Sequence, residues 1–407
     1  MRKKIIFLVY WPVTRREKEA WGFALLKSHG FDVQVCDVTN LFNQKAIEKN
    51  PVANELKDGC VLKINCFEEL SLYLKNNAED AIFVDYIRGL TDLDAGIEKL
   101  FRFLKKYNVR YFTIVTGALP TADVELKSLN EFQWFLNRIK KVFNLKALSQ
   151  FIIRRAIIFL RRSKRVYPLP VRIFSTDAPL LEQFLKKYDF DKKNVTKLHS
   201  PDYYEFLRMK SRRKKYEYVL KPYCVFVDGG IVGHSDFDIC GIQKLNPKSY
   251  IIEINNIIRH VEEKIGVRVK VAAHPKVSLE NLQKTYLNGE IVQGKTLELV
   301  ENAEFVITHF SSVIGYAALF KKPVIFVETI EMREIEHYHN AVRLMANALG
   351  MKPFQSGIDE LDELEEYRKA PMSKYEQYVS KYVKTTGASD KPMWEVIIEE
   401  LENGLLE

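Results

Sequence analysis

No uninterrupted apolar stretch in this 407-residue chain approaches the ~20 residues that span a bilayer, which excludes a transmembrane helix. Cysteine is scarce: Cys36, Cys60, Cys66, Cys224 and Cys240 lie scattered without CxxC spacing, and their odd number argues against a disulfide framework. Reduced thiols are expected. No secretory leader is recognisable either, because the apolar run in "MRKKIIFLVYWPVTRREKEAWGF" is too short and continues into charge, so a cytoplasmic protein is expected. Acidic residues are absent from Phe132 to Thr176. That interval holds Arg138, Lys140, Lys141, Lys146, Arg154, Arg155, Arg161, Arg162, Lys164, Arg165 and Arg172, which together exceed the net charge of +9 for the whole chain. Repeats and low-complexity tracts are missing as well.

What is present is ordinary globular material, with 47% hydrophobic and 28% charged residues, so disorder and fibre are poor readings. The length exceeds what one core usually serves and predicts two domains. "KKIIFLVY", a helical run ending at Gly30 and "FDVQVCDV" make a βαβ opening, continued by "AIFVDY", "VRYFTIVTG" and "PVRIFSTD". A second start at "YCVFVDGG" leads through strands near 267–273, "EIVQ", "EFVITH" and "PVIFV", with helical segments between them. The expected fold class is α/β, two Rossmann-like doubly wound domains facing a cleft. The predicted boundaries are 1–206 for the first domain, with a basic insertion at about 132–166, and 207–222 for a linker. The second domain is placed at 223–390, and 391–407 forms a helix that packs back across the junction.

In such sheets ligands meet the carboxyl ends of the strands. His274 stands at one of them in "VKVAAHPKVS", where Pro275 forces extended geometry and ends the strand sharply. It reads either as a phosphate contact or general acid, or as a buried, hydrogen-bonded histidine. Ser311 and Ser312 open a helix after the strand that ends at His309, which reads as an anion site or as N-capping. Lys295 and Thr296 start another helix, on the donor side or simply solvated. Asp228, ahead of Gly229 and Gly230, reads as a cleft-lining base or as a turn-capping acid. No rigid ligand spacing joins it to His234, Asp236 and Asp238, so no metal is expected. In the first domain Tyr10, Trp11, Asp85, Tyr86, Thr116 and Gly117 fall at strand ends on the expected acceptor side, with Asp85 the alternative base. Asp202 is expected to cap a helix, and His337 and His339 to be surface or hinge residues.

"VAAHP" followed by "GKTLELVENAEFVITHFSSVIGYAALFKKPVIFV" resembles the nucleotide-sugar half of bacterial GT-B glycosyltransferases of surface-polysaccharide biosynthesis. It is more particularly similar to sialyltransferase and Kdo-transferase-like enzymes that carry HP and Ser-Ser motifs for a CMP-activated donor. The resemblance extends over Cys224 to Val327 and is architectural elsewhere. It implies that His274, Ser311 and Ser312 touch the nucleotide phosphate and that no cofactor or metal is needed beyond the nucleotide sugar. Some of those enzymes carry a paired acidic motif before HP, of which this chain keeps only Asp228. Retaining GT-B enzymes show a Glu-x7-Glu pattern that is not placed here, so an inverting transfer is expected.

On a helical wheel Arg154, Arg155, Arg161, Arg162 and Arg165 share about one third of the circumference, opposite Ile152, Ile153, Ala156, Ile157, Phe159 and Leu160. Such a helix fits an anionic membrane surface, or else a core helix with a solvated basic face. No aromatic platform accompanies the charge, so nucleic acid is not an expected partner. The expected protein is a glycosyltransferase at the inner face of the membrane that moves a CMP-linked sugar onto a glycan or glycolipid. A UDP- or GDP-sugar transferase and a nucleotide-sugar epimerase of the same architecture are the alternatives.

Overall fold

The computed structural model describes residues 4–43, 59–87, 97–116, 120, 167–176, 179–212, 221–232, 243–274, 277–368 and 371–404. They divide into two compact units, the first holding residues up to Thr116, the stretch to His199 and the segment from Gly387, the second running from Ser200 to Thr386. The division therefore falls at Ser200 rather than at 206. Part of the expected linker is helix, since Pro201–Arg212 is helical and belongs to the second unit.

The first unit is a seven-stranded sheet of order β3-β2-β1-β4-β5-β6-β7. Its strands are β1 (Lys4–Val9), β2 (Asp32–Asp37), β3 (Val61–Lys63), β4 (Ala81–Asp85), β5 (Tyr111–Val115), β6 (Arg172–Ser175) and β7 (Val195–Lys197), and all pairings are parallel. Parallel strands covered on both faces need apolar residues at every position. "IIFLV" meets that demand: Ile5, Phe7 and Val9 enter one core, while Ile6 and Leu8 enter the other. Helix Met393–Glu402, near the carboxyl end of the sequence, completes the first of these cores with Trp394, Ile397, Ile398 and Leu401. It is tied down by the Trp394 indole, which donates to the Ala20 carbonyl at 2.9 Å, and by Arg172, 2.6 Å from Glu400. At Gly22, whose φ is +64°, an added Cβ would lie 2.5 Å from the Trp394 ring, so only glycine fits there.

The second unit repeats the plan with six strands of order β10-β9-β8-β11-β12-β13. These are β8 (Tyr223–Val227), β9 (Arg268–Ala273), β10 (Glu290–Gln293), β11 (Val306–Thr308), β12 (Val324–Glu328) and β13 (Phe354–Gln355). Helix Pro247–His260 starts with Asn246 as its cap, the side chain accepting from the Lys248 amide at 3.0 Å, and Pro247 in the first turn. Its Tyr250, Ile254, Ile257 and Ile258 are buried, as the spacing of an amphipathic helix requires. The cap of helix Pro201–Arg212 is Ser200, whose hydroxyl accepts from the Tyr203 amide. Asp202 instead accepts from the Tyr316 hydroxyl at 3.0 Å, a tertiary tie rather than the expected cap. Cys36, Cys60, Cys66 and Cys224 are free thiols. No helix among the described residues is long and apolar enough to cross a membrane.

Candidate functional site

In the second unit the chain builds β8 first, adds β9 and β10 on one side, and then places β11, β12 and β13 on the other. Loops leaving β8 and β11 therefore diverge, and that point is where open parallel sheets hold ligands. Asp228 follows β8, and Ser311 and Ser312 follow β11 by three and four residues. His274 leaves the neighbouring strand β9. Lys295 and Thr296 stand after β10 at the sheet edge, three strand spacings or ~14 Å across from β11, and Lys295 is exposed.

Asp228 is buried, 6% exposed, and its carboxylate is fully engaged. Oδ1 accepts from the Gly230 amide at 2.9 Å and from the Tyr286 hydroxyl at 2.8 Å, while Oδ2 accepts from the His274 amide at 3.1 Å. The first bond closes a turn two residues on, which aspartate favours, and Gly230 adopts φ +67°, open to glycine at no steric cost. The carboxylate therefore fixes the loops after β8 and β9 relative to each other. This is the turn-capping alternative, enlarged by two donors from elsewhere in the fold.

A second chain of bonds runs beside it. His309 is 1% exposed, with Nδ1 2.7 Å from the Val327 carbonyl and Nε2 2.9 Å from the Tyr250 hydroxyl. A carbonyl can only accept, so Nδ1 carries the proton and Nε2 accepts from Tyr250. Burial pushes the imidazole down to about 4, so it is neutral. Tyr286 is held well above the ordinary phenol range by burial first, then by Tyr250 and Asp228. Asp228, Tyr286, Tyr250 and His309, with the backbone groups they bind, thus form a polar layer under the strand ends. Sequence reasoning missed Tyr250, Tyr286 and this role of His309.

The serine pair separates. Ser311 accepts from the Val313 amide at 3.3 Å, a turn bond ahead of the helix rather than the expected cap, whereas Ser312 is exposed. The helix that follows, Ile314–Leu319, is only six residues long and begins later than the expected Ser311. The Thr308 hydroxyl, buried at the end of β11, has no hydrogen-bond partner among the described residues.

The first unit has its own reversal between β1 and β4. Tyr10 follows β1 and packs edge-on against Trp11 with centroids 5.9 Å apart. Asp85 ends β4, is 2% exposed, and accepts from the Ile87 amide at 2.8 Å, repeating the turn made by Asp228. Tyr86 beside it stacks on Trp21 at 4.6 Å, and burial raises its phenol. Thr116 follows β5, the next strand. Gly117, Pro275, the 132–166 insertion and the trio His234, Asp236 and Asp238 lie outside the described residues.

At the end of β12, Glu328 is completely buried. Its Oε1 lies 2.6 Å from His339 Nδ1, and its Oε2 accepts from Gln355 Nε2 at 2.9 Å. His339 is thus tied to the sheet while part of its ring stays exposed, and His337 is exposed.

No known protein-family profile matches this sequence, and no curated protein matches it. Solved structures do. The calicheamicin glycosyltransferase CalG4 superposes with a TM-score of 0.51 over 99% of both chains at 9% identity. The fold class is GT-B. The Methanocaldococcus jannaschii UDP-GlcNAc 2-epimerase bound to UDP-GlcNAc and UDP reaches 0.46 at 14% identity, covering 99% of this chain and 100% of its own. A variant of the wall teichoic acid polymerase TagF reaches 0.46 at 14% identity, over 100% of this chain and 91% of its own. Likeness at this level describes the architecture alone.

Proposed function

We propose that this GT-B protein is an inverting glycosyltransferase that takes a CMP-linked sugar and passes it to a glycan or glycolipid hydroxyl. The observation that carries this reading is the buried layer at the β8/β11 reversal, where Asp228 and Gly230 shape the loop and hold the His274 backbone at the point where open sheets bind phosphates. In the reaction the acceptor oxygen bonds to the anomeric carbon as the bond from that carbon to the phosphate oxygen breaks. His274 and the Ser312 hydroxyl meet the departing phosphate. Three donors already occupy the Asp228 carboxylate, so it positions His274, and removal of the acceptor proton falls to another group.

CMP as the nucleotide rests on the HP and Ser-Ser resemblance. At ~100 times its Kd a nucleotide adds about 2.7 kcal/mol, several degrees of melting temperature for a domain of this size. CMP is expected to give that rise, with UMP, UDP and GDP giving less. Incubation with CMP-, UDP- and GDP-sugars followed by mass spectrometry then reads the reaction itself. Nucleotide release that depends on an acceptor supports transfer. A clear preference for UDP or GDP removes CMP alone, and an isomerised sugar without net nucleotide release identifies an epimerase instead.

The acid-free segment suits the inner membrane surface, since each basic residue near anionic lipid contributes about 1 kcal/mol. Co-sedimentation with anionic liposomes, reversed by salt, is the expected behaviour. Equal binding to neutral liposomes, or none to either, rules out the anchor.

A further inference from the structure

The Glu328–His339 pair is not part of the layer built around Asp228 and His309. A fully buried carboxylate is costly unless paired and hydrogen-bonded, and here both oxygens are satisfied by deliberate partners, His339 from helix Glu336–Ala348 and Gln355 from β13. A carboxylate only accepts, so His339 Nδ1 carries a proton and donates it. That fixes both the tautomer and the ring plane, and it turns Nε2 away from the sheet. The imidazole is 29% exposed while its carboxylate is 0% exposed. Nε2 has no hydrogen-bond partner among the described residues.

An arginine stands at the same strand end. Arg333 donates one N–H to the Glu328 carbonyl at 3.3 Å, and its remaining guanidinium N–H groups have no partner among the described residues. An anchor between β12 and the helix would need only the N–H that reaches Glu328. The outward imidazole nitrogen and the uncommitted guanidinium are more than packing requires. Arg333 lies on helix Ile330–Glu334 and His339 on helix Glu336–Ala348, both after β12, the strand next to β11, and both reach Glu328 at the carboxyl end of that strand.

We propose that Glu328, His339 and Arg333 form an anion subsite, in which Glu328 orients His339 so that, with a second proton on the ring, its Nε2–H group donates together with Arg333 to a phosphate or pyrophosphate group. This rests on the nucleotide-sugar reading above only for the source of that phosphate, which there is the donor. Glu328 is a positioning residue, and His339 and Arg333 make the contact.

His339→Asn separates contact from anchor, because the asparagine amide nitrogen stands where Nδ1 stood and can still donate to Glu328 but puts no group at the Nε2 position. The expected result is a melting temperature close to that of the parent and at least about tenfold weaker binding of CMP and of inorganic pyrophosphate by calorimetry. Unchanged affinity for both probes overturns the subsite. A measurement on the parent protein avoids any folding defect: diethyl pyrocarbonate modifies accessible imidazole nitrogens, and peptide mapping locates the adduct. His339 is expected to react in the free protein and to be protected by pyrophosphate or CMP. Protection by pyrophosphate with no binding of CMP or UMP keeps the subsite and removes the nucleotide reading. Nucleotide binding that leaves His339 unprotected removes the subsite and keeps that reading.

Discussion

Asp228→Ala is expected to destabilise the second unit by about 3–5 kcal/mol, because it orphans three donors at once, the buried Gly230 amide and Tyr286 hydroxyl and the half-buried His274 amide. Asp228→Asn is not the silent isostere that a base substitution usually provides. With its oxygen serving Gly230 and Tyr286, its amide group faces the His274 N–H, donor against donor, at a cost of about 1–3 kcal/mol. Tyr286→Phe removes one bond of the three and should cost about 1 kcal/mol. Urea titrations of the three variants give the order directly. A loss below about 1 kcal/mol for Asp228→Ala would sink the claim that this carboxylate holds the strand-end loops together.

His274→Ala is the change with the largest expected effect on turnover. A donor that stabilises charge in a closed site is typically worth ~10²–10³ in kcat, and the substitution leaves the Asp228 bond intact because that bond goes to the His274 backbone. The fold should therefore survive. The two serines should part company: Ser311→Ala loses a turn hydrogen bond and about 0.5–1 kcal/mol of stability, whereas Ser312→Ala keeps stability and loses rate. Melting curves and transfer rates on the same preparations decide. A His274→Ala protein that is destabilised but fully active would make that histidine a structural one.

Much of the architecture could be read from residue patterns, because parallel strands buried on both faces leave unbroken apolar runs such as "IIFLV" and "VIFV". The strands that escaped notice, Val61–Lys63, Val195–Lys197 and Phe354–Gln355, are short and stand at sheet edges. Little burial there leaves little pattern. The positions of Asp228, His274 and the serines followed from strand ends, but their partners did not. Tyr286 is 58 residues from Asp228, and Tyr250 is 59 from His309, distances over which no periodicity speaks. The one local hint was composition: a tyrosine on the apolar face of a helix, or a histidine closing a buried strand, needs a polar partner. Asp202 misled for the same reason, since its position in a first turn said nothing of Tyr316 on another helix.

The helix Met393–Glu402 sets the order in which this chain can mature. Trp394, Ile397, Ile398 and Leu401 are the last large apolar residues described, yet they fill a core begun by Ile5 and Phe7. On the ribosome, the unit whose strands emerge first therefore waits with one face uncovered until this helix has been made. The unit between Ser200 and Thr386 is synthesised in full before that and closes its own core first. Domains usually fold in the order in which they are made; here the amino-terminal one is completed last.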